Sequence, residues 1–347
     1  WYSTVKYRSI RKGTRKGHER PYSIKNDAMK TFTMLSEQHT RLRLRVFTQS
    51  PTFFGDMPAA TCRDAAPARG RDPVLSQTVT AETQEQFRQS GHVTMPRLLE
   101  EKTVRLLNDR LEAVLRDNFD TGSPPDKMPK GRNAWSCGRR TLQIVNIRKA
   151  DTAFRRVITS QTLGKFIAEI GGWPGTRVAS DQVWAKPPTG GPLVFHRDSA
   201  YFDFEPNDVI TLWLALDNMT PEVGPLEYVD GSHLWGEGRV GSANQFFDKD
   251  RQALMLQAAK SEGLHADDLN ISMVQCKAGG AGVHNGRTWH GSGSNMSKKR
   301  PRRGLGIHFV PSNVKFKDAP LGNMWRKFRD ASDMDFSKEF PVTFKFS

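Results

Sequence analysis

The sequence predicts a mainly β protein, with a barrel-like core and α-helices at its flanks. Two patterns support this prediction. From about residue 83 onwards, short runs of apolar or alternating residues recur between turn signals, which is typical of a barrel-like all-β core. Residues 98–118 differ, because their apolar side chains recur at the three- and four-residue spacing of an amphipathic helix. At 347 residues, the chain is long enough to bury a sizeable core.

The first elements of this region are a short helix, a short strand and a long helix. Residues 84–89 are predicted to be helical, and residues 91–95 are predicted to form a strand. The apolar face of the long helix at 98–118 consists of Val104, Leu107, Leu111, Val114 and Leu115. Because a helix buries its apolar face, we expect this one to pack on the outside of the sheet.

Strands and one further helix follow. Residues 142–147 and 178–185 are predicted strands, with a helix at 162–170 between them. The second strand ends at Pro187-Pro188, because proline has no N–H to donate to a neighbouring strand. Later strands are predicted around His196 and at residues 209–216, 272–276, 282–289, 304–310 and 342–346.

The first 80 residues differ from the rest in charge. The whole chain carries a net charge of +15, and its first fifty residues hold twelve Lys and Arg against three acids. We interpret residues 1–80 as a basic segment separate from a folded domain at 81–347. A basic, acid-poor leader is typical of an organelle transit peptide. An untargeted disordered tail, or a wrongly extended gene sequence, explains this composition equally well.

Composition also bears on partners and compartment. The modest charge after residue 50 argues against a nucleic-acid groove in the folded part, since such grooves concentrate basic residues; a nucleic-acid role of the arm alone stays open. Three scattered cysteines, Cys62, Cys137 and Cys276, do not make a disulfide framework or a zinc site. They fit a reducing compartment, cytoplasmic or organellar. No run approaches the roughly 18 apolar residues of a membrane span, so we expect a soluble protein.

The candidate metal ligands are His196, Asp198 and His290. In His196-Arg197-Asp198 the imidazole and the carboxylate are two residues apart, and alternate side chains on an extended chain share one face. His290 lies far along the chain. Two histidines and one carboxylate form the facial triad that suits non-haem Fe(II) and leaves positions open for a co-substrate and oxygen.

Six sequence blocks around these residues resemble the phytanoyl-CoA dioxygenase family, in the family's order. They are Lys186-Pro187-Pro188, His196-Arg197-Asp198, Trp213-Leu214-Ala215-Leu216-Asp217, Gly224-Pro225-Leu226, Gly231-Ser232-His233, and His290-Gly291-Ser292-Gly293-Ser294-Asn295-Met296-Ser297 followed by Arg302. The resemblance covers roughly residues 83–310. It implies an Fe(II)- and 2-oxoglutarate-dependent oxygenase on a double-stranded β-helix, a jelly-roll of the cupin type.

The resemblance favours His290 over His284 as the third iron ligand, because His290 occupies the family's H-G-S-x-x-N position. His284 remains a rival, since it lies six residues earlier and on an ideal strand would face the same side. Otherwise His284 orients a ligand by hydrogen bonding or is simply packed. His233 belongs to a turn block, and we expect it to be structural.

Arg302 is similarly implied to anchor the distal carboxylate of 2-oxoglutarate, since a guanidinium offers two parallel donors. Arg302 lies one residue further from the second histidine ligand than this arginine usually does in the family. That departure leaves Arg303 open, although counting back from His308 favours Arg302. Arg300 precedes the expected start of the strand.

Four more residues resemble positions that contact the co-substrate or line its pocket; they are Gln143, Gln182, Trp213 and Ser292. By the same resemblance, the loop at 121–140 is expected to overhang the active site, and we expect the insertion at 235–270 to help cover it. Basic residues of the loop either favour an anionic substrate or are solvated; they are Lys127, Lys130, Arg132, Arg139 and Arg140.

The function implied is the O2-dependent hydroxylation of a small organic substrate, with 2-oxoglutarate converted to succinate and CO2. Halogenases similar to this family have a small residue in place of the carboxylate, so Asp198 favours an oxygenase outcome. Two alternatives stay open: a non-catalytic metal-binding member of the same fold, and a nucleic-acid or membrane-surface protein acting through its basic arm. The sequence determines neither the substrate nor the oligomeric state.

Overall fold

The computed structural model describes most of the chain after residue 71. The described residues are 72–73, 75–129, 141–236, 250–322, 324–330 and 332–347. Most of the basic segment predicted at residues 1–80 lies outside them. So do residues 130–140 of the loop predicted to overhang the site, with their four basic side chains, and residues 237–249 of the insertion.

Most helices come early in the described part of the chain, and most strands follow them. The helices are α1 (Ala81–Ser90), α2 (Glu101–Val114), α3 (Thr152–Ile158), α4 (Gln161–Gly171), α5 (Ala253–Ser261) and α6 (Asp333–Glu339). The strands are β1 (His92–Met95), β2 (Leu142–Val145), β3 (Gly175–Lys186), β4 (Leu193–His196), β5 (Phe204–Glu205), β6 (Ile210–Ala215), β7 (Leu226–Val229), β8 (Ile271–Met273), β9 (Ala281–Asn285), β10 (His290–Ser292), β11 (Arg302–Pro311), β12 (Lys315–Phe316) and β13 (Val342–Lys345). None of these helices is long and apolar enough to cross a membrane.

Two antiparallel sheets form the core. The larger sheet has the strand order β1-β9-β6-β11-β3-β13, with β2 also paired to β3, and the smaller sheet has the order β4-β10-β7-β8. A short pair, β12-β5, stands apart from both. This is the jelly-roll core with flanking helices that the sequence predicts.

Strand alternation separates a hydrophobic core on one face of the larger sheet from a cavity on the other. On β6, Leu212 and Leu214 belong to the core, whereas Thr211 and Trp213 line the cavity, because successive side chains of a strand point to opposite faces. On β11 the core residues are Leu305 and Ile307, and the cavity residues are Arg302, Gly306 and His308. The smaller sheet contributes His196 and His290 to the same cavity.

The long predicted helix at 98–118 is shorter at both ends. It begins at Glu101, because the N–H groups of Leu98 and Leu99 donate to the Gly279 carbonyl at 2.8 and 2.9 Å. It ends at Val114, shortly before Asp117 adopts a positive φ of 61°. Its apolar face is buried in the same cluster as the outward residues of β6 and β11, so it packs on the outside of the sheet as expected.

The strand predicted at 282–289 is too long, because only residues 282–285 belong to a strand and residues 286–289 lie outside both sheets. β9 ends at Asn285 in the larger sheet, and β10 begins at His290 in the smaller one. Between them, the Gly286 N–H donates to the Val209 carbonyl at 2.7 Å, and the Thr288 N–H donates to the Asn285 carbonyl at 2.9 Å. A turn therefore separates His284 from His290, and strand alternation does not relate their side chains.

The helix α3 is absent from the sequence prediction. Asp151 caps it by accepting hydrogen bonds from the N–H groups of Ala153 and Phe154 at 2.9 and 3.0 Å. With seven residues, the helix is too short to show a helical period. Just before it, the strand predicted at 142–147 stops at Val145, because Asn146 turns into the left-handed region with a φ of 56°.

The described part of the insertion at 235–270 does not line the cavity. Its helix α5 packs through Met255 in the same cluster as Phe195, and the Arg251 carbonyl accepts a hydrogen bond from the Phe195 N–H at 2.8 Å. The expectation that this insertion covers the site is therefore wrong for its described residues. They support β4 from the side away from the cavity.

Residues before the predicted domain boundary at 81 also contact the fold. The Asp72 carboxylate accepts a hydrogen bond from the Thr162 N–H at 3.0 Å. Leu75 forms a β-bridge with Leu99.

Two neighbouring leucines on α2 test the packing of this helix. Leu107 is 0% exposed and Leu106 is 39% exposed. We expect Leu107→Ala to lower the free energy of unfolding by about 2–5 kcal/mol, because it leaves a cavity in the core. Leu106→Ala is the matched control and should cost less than about 1 kcal/mol. Denaturant unfolding measures both variants, and equal losses would contradict the packing described for α2.

Candidate active site

The imidazoles of His196 and His290 converge because their strands pair directly. The two residues are register partners in β4 and β10, and their ring centroids are 4.2 Å apart. In each ring, Nδ1 contacts a carbonyl two residues earlier, that of Val194 or Thr288, at 3.0 Å. A carbonyl only accepts hydrogen bonds, so Nδ1 carries the hydrogen, and in the neutral ring Nε2 presents a lone pair.

Asp198 completes this group. It follows Arg197, whose backbone is extended, and it opens a short 3-10 turn at Asp198–Tyr201. Its Oδ1 lies 3.6 Å from Nε2 of His196 and 3.6 Å from Nε2 of His290. One donor atom from each of the three residues lies within 4.8 Å of the others. Two imidazole nitrogens and one carboxylate oxygen are the donor set of a facial triad, so these residues fit a ferrous ion.

The other oxygen of Asp198 is held by a hydrogen-bond network. Oδ2 accepts a hydrogen bond from the Thr211 hydroxyl at 2.6 Å and another from His284 Nε2 at 3.1 Å. Nδ1 of His284 in turn lies 3.0 Å from the Tyr228 hydroxyl. These bonds keep the carboxylate in one orientation and leave Oδ1 directed at the two histidines. His284 therefore contacts Asp198 and does not belong to the group of three.

His308 joins this network through Thr211. Its Nδ1 lies 2.8 Å from Thr211 Oγ1. The single hydroxyl hydrogen of Thr211 goes to Asp198, so the hydroxyl oxygen must accept from His308 Nδ1–H. The sequence analysis did not assign this residue to the site. Its position on β11, six residues after Arg302 and therefore on the same face, is the signal that would have found it.

The charges of Asp198 and His290 suit metal binding. Burial tends to raise the pKa of Asp198, but the surrounding groups, led by the His290 imidazole, outweigh it and hold that pKa well below its usual range. Burial, together with His196 and His284 nearby, lowers the pKa of His290 well below its ordinary value. An ionised carboxylate and a neutral imidazole are the forms that bind a metal.

Arg302 lies in the same cavity and is fully buried. Its Nε donates to the Gly224 carbonyl at 3.2 Å, its Nη2 donates to Ser292 Oγ at 3.1 Å, and its guanidinium carbon lies 5.3 Å from the centre of the Trp213 ring. Its Nη1 has no hydrogen-bond partner among the described residues. Burial lowers the pKa of Arg302 to about 10, so the group stays charged at neutral pH and offers an unused donor.

The neighbouring arginines are engaged elsewhere. Arg303 donates to both carboxylate oxygens of Asp217, at 2.9 and 2.7 Å, and the exposed Arg300 pairs with Glu222. Neither lines the cavity. Of the three arginines considered from the sequence, Arg302 alone faces the candidate ligands.

The other pocket residues predicted from the sequence divide into two groups. Gln143, Gln182 and Trp213 line the cavity, and the Gln143 amide donates to the Gln182 side-chain oxygen at 2.7 Å. Ser292 is not one of the residues that line the cavity, but its hydroxyl accepts a hydrogen bond from Arg302, which does line it. The remaining large side chains of the wall are mostly apolar; they are Trp184, Leu193, Tyr201, Phe202, Leu226 and Met324.

Comparison with known proteins agrees with this arrangement. The sequence model of the phytanoyl-CoA dioxygenase family matches residues 87–304, which is more than half of the chain. The chain belongs to the phytanoyl-CoA dioxygenase family. Among curated members and relatives, a probable alpha-ketoglutarate-dependent hypophosphite dioxygenase of Stutzerimonas stutzeri is 28% identical over 126 residues, which are 36% of this chain and 42% of that protein.

A phytanoyl-CoA dioxygenase domain-containing protein 1 homolog of Caenorhabditis elegans is 26% identical over 172 residues, which cover 48% of this chain and 58% of that protein. The matches thus span about half the length of these curated relatives. Among solved structures, the non-haem alpha-ketoglutarate-dependent carbocyclase SnoK has a TM-score of 0.60 at 20% identity, covering 78% of this chain and 98% of its own. The epimerase SnoN, in complex with Fe3+, alpha-ketoglutarate and nogalamycin RO, has a TM-score of 0.57 at 18% identity, covering 76% and 97%. These structural likenesses support the fold.

Thr211 tests whether the network around Asp198 matters for metal binding. We expect Thr211→Val to weaken Fe(II) binding by about 10- to 100-fold, because the carboxylate loses a hydrogen bond that orients it. Anaerobic titration calorimetry measures the affinity. Thr103→Val, on a helix that does not line the cavity, is the matched control and should leave it unchanged. An unaltered affinity in Thr211→Val would contradict an orienting role of this hydroxyl.

Proposed function

We propose that this protein is a non-haem Fe(II)- and 2-oxoglutarate-dependent oxygenase that hydroxylates a small organic substrate. One observation carries the proposal: a single cavity holds the donor atoms of His196, Asp198 and His290 together with the unpaired Nη1 of the buried Arg302. A metal and an anion can therefore bind in one enclosed space. Family membership supports the proposal, and so does SnoN, a structure of similar fold in complex with Fe3+ and alpha-ketoglutarate.

Each group has a distinct task in this proposal. His196, Asp198 and His290 hold the iron, which when bound supplies the activation of O2 and leaves positions for the 2-oxo acid. Arg302 binds the distal carboxylate of 2-oxoglutarate, because a buried guanidinium with a free N–H gives a strong charge-assisted hydrogen bond. Trp213 and the hydrogen bond to Gly224 hold that guanidinium in place.

The walls of the cavity serve the substrate. Trp184, Tyr201, Phe202 and Met324 present aromatic and apolar surface, which suits a substrate with an organic skeleton and keeps bulk water from the reacting centre. Hydroxylation is preferred over halogenation, since Asp198 occupies the position at which similar halogenases make room for halide. A carbocyclase and an epimerase have a similar fold, so the fold alone does not determine which reaction follows.

A non-catalytic metal-binding protein is the alternative. Arg302 argues against it, because burying an unpaired cation in the cavity wall is unfavourable unless an anion binds there. A protein that only holds a metal has no need of this group.

Succinate formation tests the proposed function. Fe(II)-loaded protein should form succinate from 2-oxoglutarate when oxygen is admitted, slowly in the absence of substrate. Asp198→Ala should abolish turnover by loss of iron, and Arg302→Ala should raise the KM for 2-oxoglutarate by about 100-fold, as expected for a lost charge-assisted hydrogen bond. Arg303→Ala is the matched control, since its partner Asp217 lies outside the cavity wall, and it should retain turnover.

Two outcomes would count against the proposal. Loss of turnover in Arg303→Ala but not in Arg302→Ala would show that Arg302 is not the anchor of the distal carboxylate. Iron binding with no 2-oxoglutarate binding would favour the non-catalytic alternative.

Removal of the basic segment tests the remaining alternative. An enzyme whose site lies in the described domain should keep its rate of succinate formation when residues 1–64 are deleted. Retardation of DNA or RNA in a native gel measures nucleic-acid binding in the full chain and in the deletion variant. Loss of turnover on deletion, or tight nucleic-acid binding that disappears with it, would favour a function carried by the arm.

A further inference from the structure

Lys186 is a second buried basic residue beside Arg302, and burial, together with Arg302 nearby, lowers its pKa well below the ordinary value. The two residues lie opposite each other in the pairing of β3 with β11, and both are 0% exposed. Neither forms an ion pair with a carboxylate among the described residues. Like charges that face each other across two strands are destabilising. Such an arrangement therefore needs a compensating contact.

Both side chains donate to the same hydroxyl. Lys186 Nζ donates to Ser292 Oγ at 2.9 Å, and Arg302 Nη2 donates to the same oxygen at 3.1 Å. Lys186 Nζ also donates to the Gly293 carbonyl, which fixes the ammonium relative to the backbone of the strand that carries Ser292. Lys186 itself does not line the cavity, so its effect on a ligand passes through Ser292.

The hydrogen of the Ser292 hydroxyl is thereby directed. A serine hydroxyl has one hydrogen to donate and two lone pairs to accept with. Lys186 and Arg302 donate to both lone pairs of Ser292 Oγ. The hydroxyl hydrogen of Ser292 must therefore point away from these two donors. Among the described residues no acceptor receives it. Ser292 and Arg302 are hydrogen-bonded to each other, and each has one further donor without an acceptor among the described residues. These donors are the Ser292 hydroxyl hydrogen and Arg302 Nη1.

We propose that Lys186 is a positioning residue, which makes the Ser292 hydroxyl a dedicated donor to the distal carboxylate of the bound 2-oxo acid. The inference rests on the proposed function, because that function supplies the dicarboxylate. Lys186 selects for the dicarboxylate by fixing a neutral donor beside Arg302.

Ligand pairs that differ only at the distal end test this role. 2-Oxoglutarate and 2-oxopentanoate have equal carbon chains, but 2-oxopentanoate ends in a methyl group. Titration calorimetry with zinc-loaded protein gives both dissociation constants without turnover, since zinc accepts the same ligand types and has no redox chemistry. Lys186→Met should reduce the preference for 2-oxoglutarate about tenfold, the equivalent of one lost hydrogen bond, and should change 2-oxopentanoate binding by less than about twofold. Lys260→Met, at an exposed lysine of α5, is the matched control and should match the wild type.

Ser292→Ala separates positioning from simple attraction between charges. If Lys186 acts through Ser292, then Lys186→Met should add no further loss in the Ser292→Ala background. An equal further loss there would show that Lys186 acts through its charge alone, and would overturn the inference. An unchanged preference in Lys186→Met would overturn it as well.

Lys186→Gln covers the case in which the methionine variant fails to fold. Glutamine keeps an N–H donor for Ser292 but removes the charge, so it should retain most of the preference for 2-oxoglutarate. A loss as large as that of Ser292→Ala would overturn the inference while leaving the proposed function intact. Failure of the wild-type protein to bind 2-oxoglutarate at all would instead overturn both.

Discussion

The site depends on one buried carboxylate that must stay ionised. Burial alone disfavours the charged form of Asp198, and neighbouring imidazoles restore it. Thr211 and His284 then take one carboxylate oxygen and leave the other for the two histidine ligands. Thr211 and His284 come from the larger sheet and the two histidine ligands from the smaller one, so the carboxylate is correctly surrounded only when both sheets are in place. The ionised state of Asp198 therefore depends on the packing of the two sheets against each other.

Two basic side chains lie side by side near this carboxylate, and of the two only Arg302 lines the cavity. Arg302 and Lys186 are placed side by side by the register of β11 on β3, and their mutual repulsion is moderated by a shared hydroxyl, that of Ser292. A ligand that carries a metal-binding group at one end and a carboxylate at the other satisfies both regions at once. 2-Oxoglutarate, the proposed co-substrate, is a ligand of this kind.

The apolar surfaces divide between stability and specificity by strand alternation. Leu212, Leu214, Leu305 and Ile307 stabilise the fold on the outer face of the larger sheet, while the residues between them line the cavity. A substitution on the outer face should therefore mainly change the free energy of unfolding, and a substitution on the inner face should mainly change ligand binding. The carbocyclase SnoK and the epimerase SnoN have a similar fold.

The sequence alone determined the features that depend on local spacing and residue type. The H-x-D pair, the block around His290, the apolar face of α2 and the alternating strands could all be predicted, because each is written in neighbouring residues. Only the tertiary structure decided the partners that meet across the chain. It distinguished Arg302 from Arg303, brought His308 to Thr211 and Lys186 to Ser292, and placed a turn between His284 and His290. The physical reason is that these choices depend on strand register and on a turn, which bring together residues about a hundred positions apart.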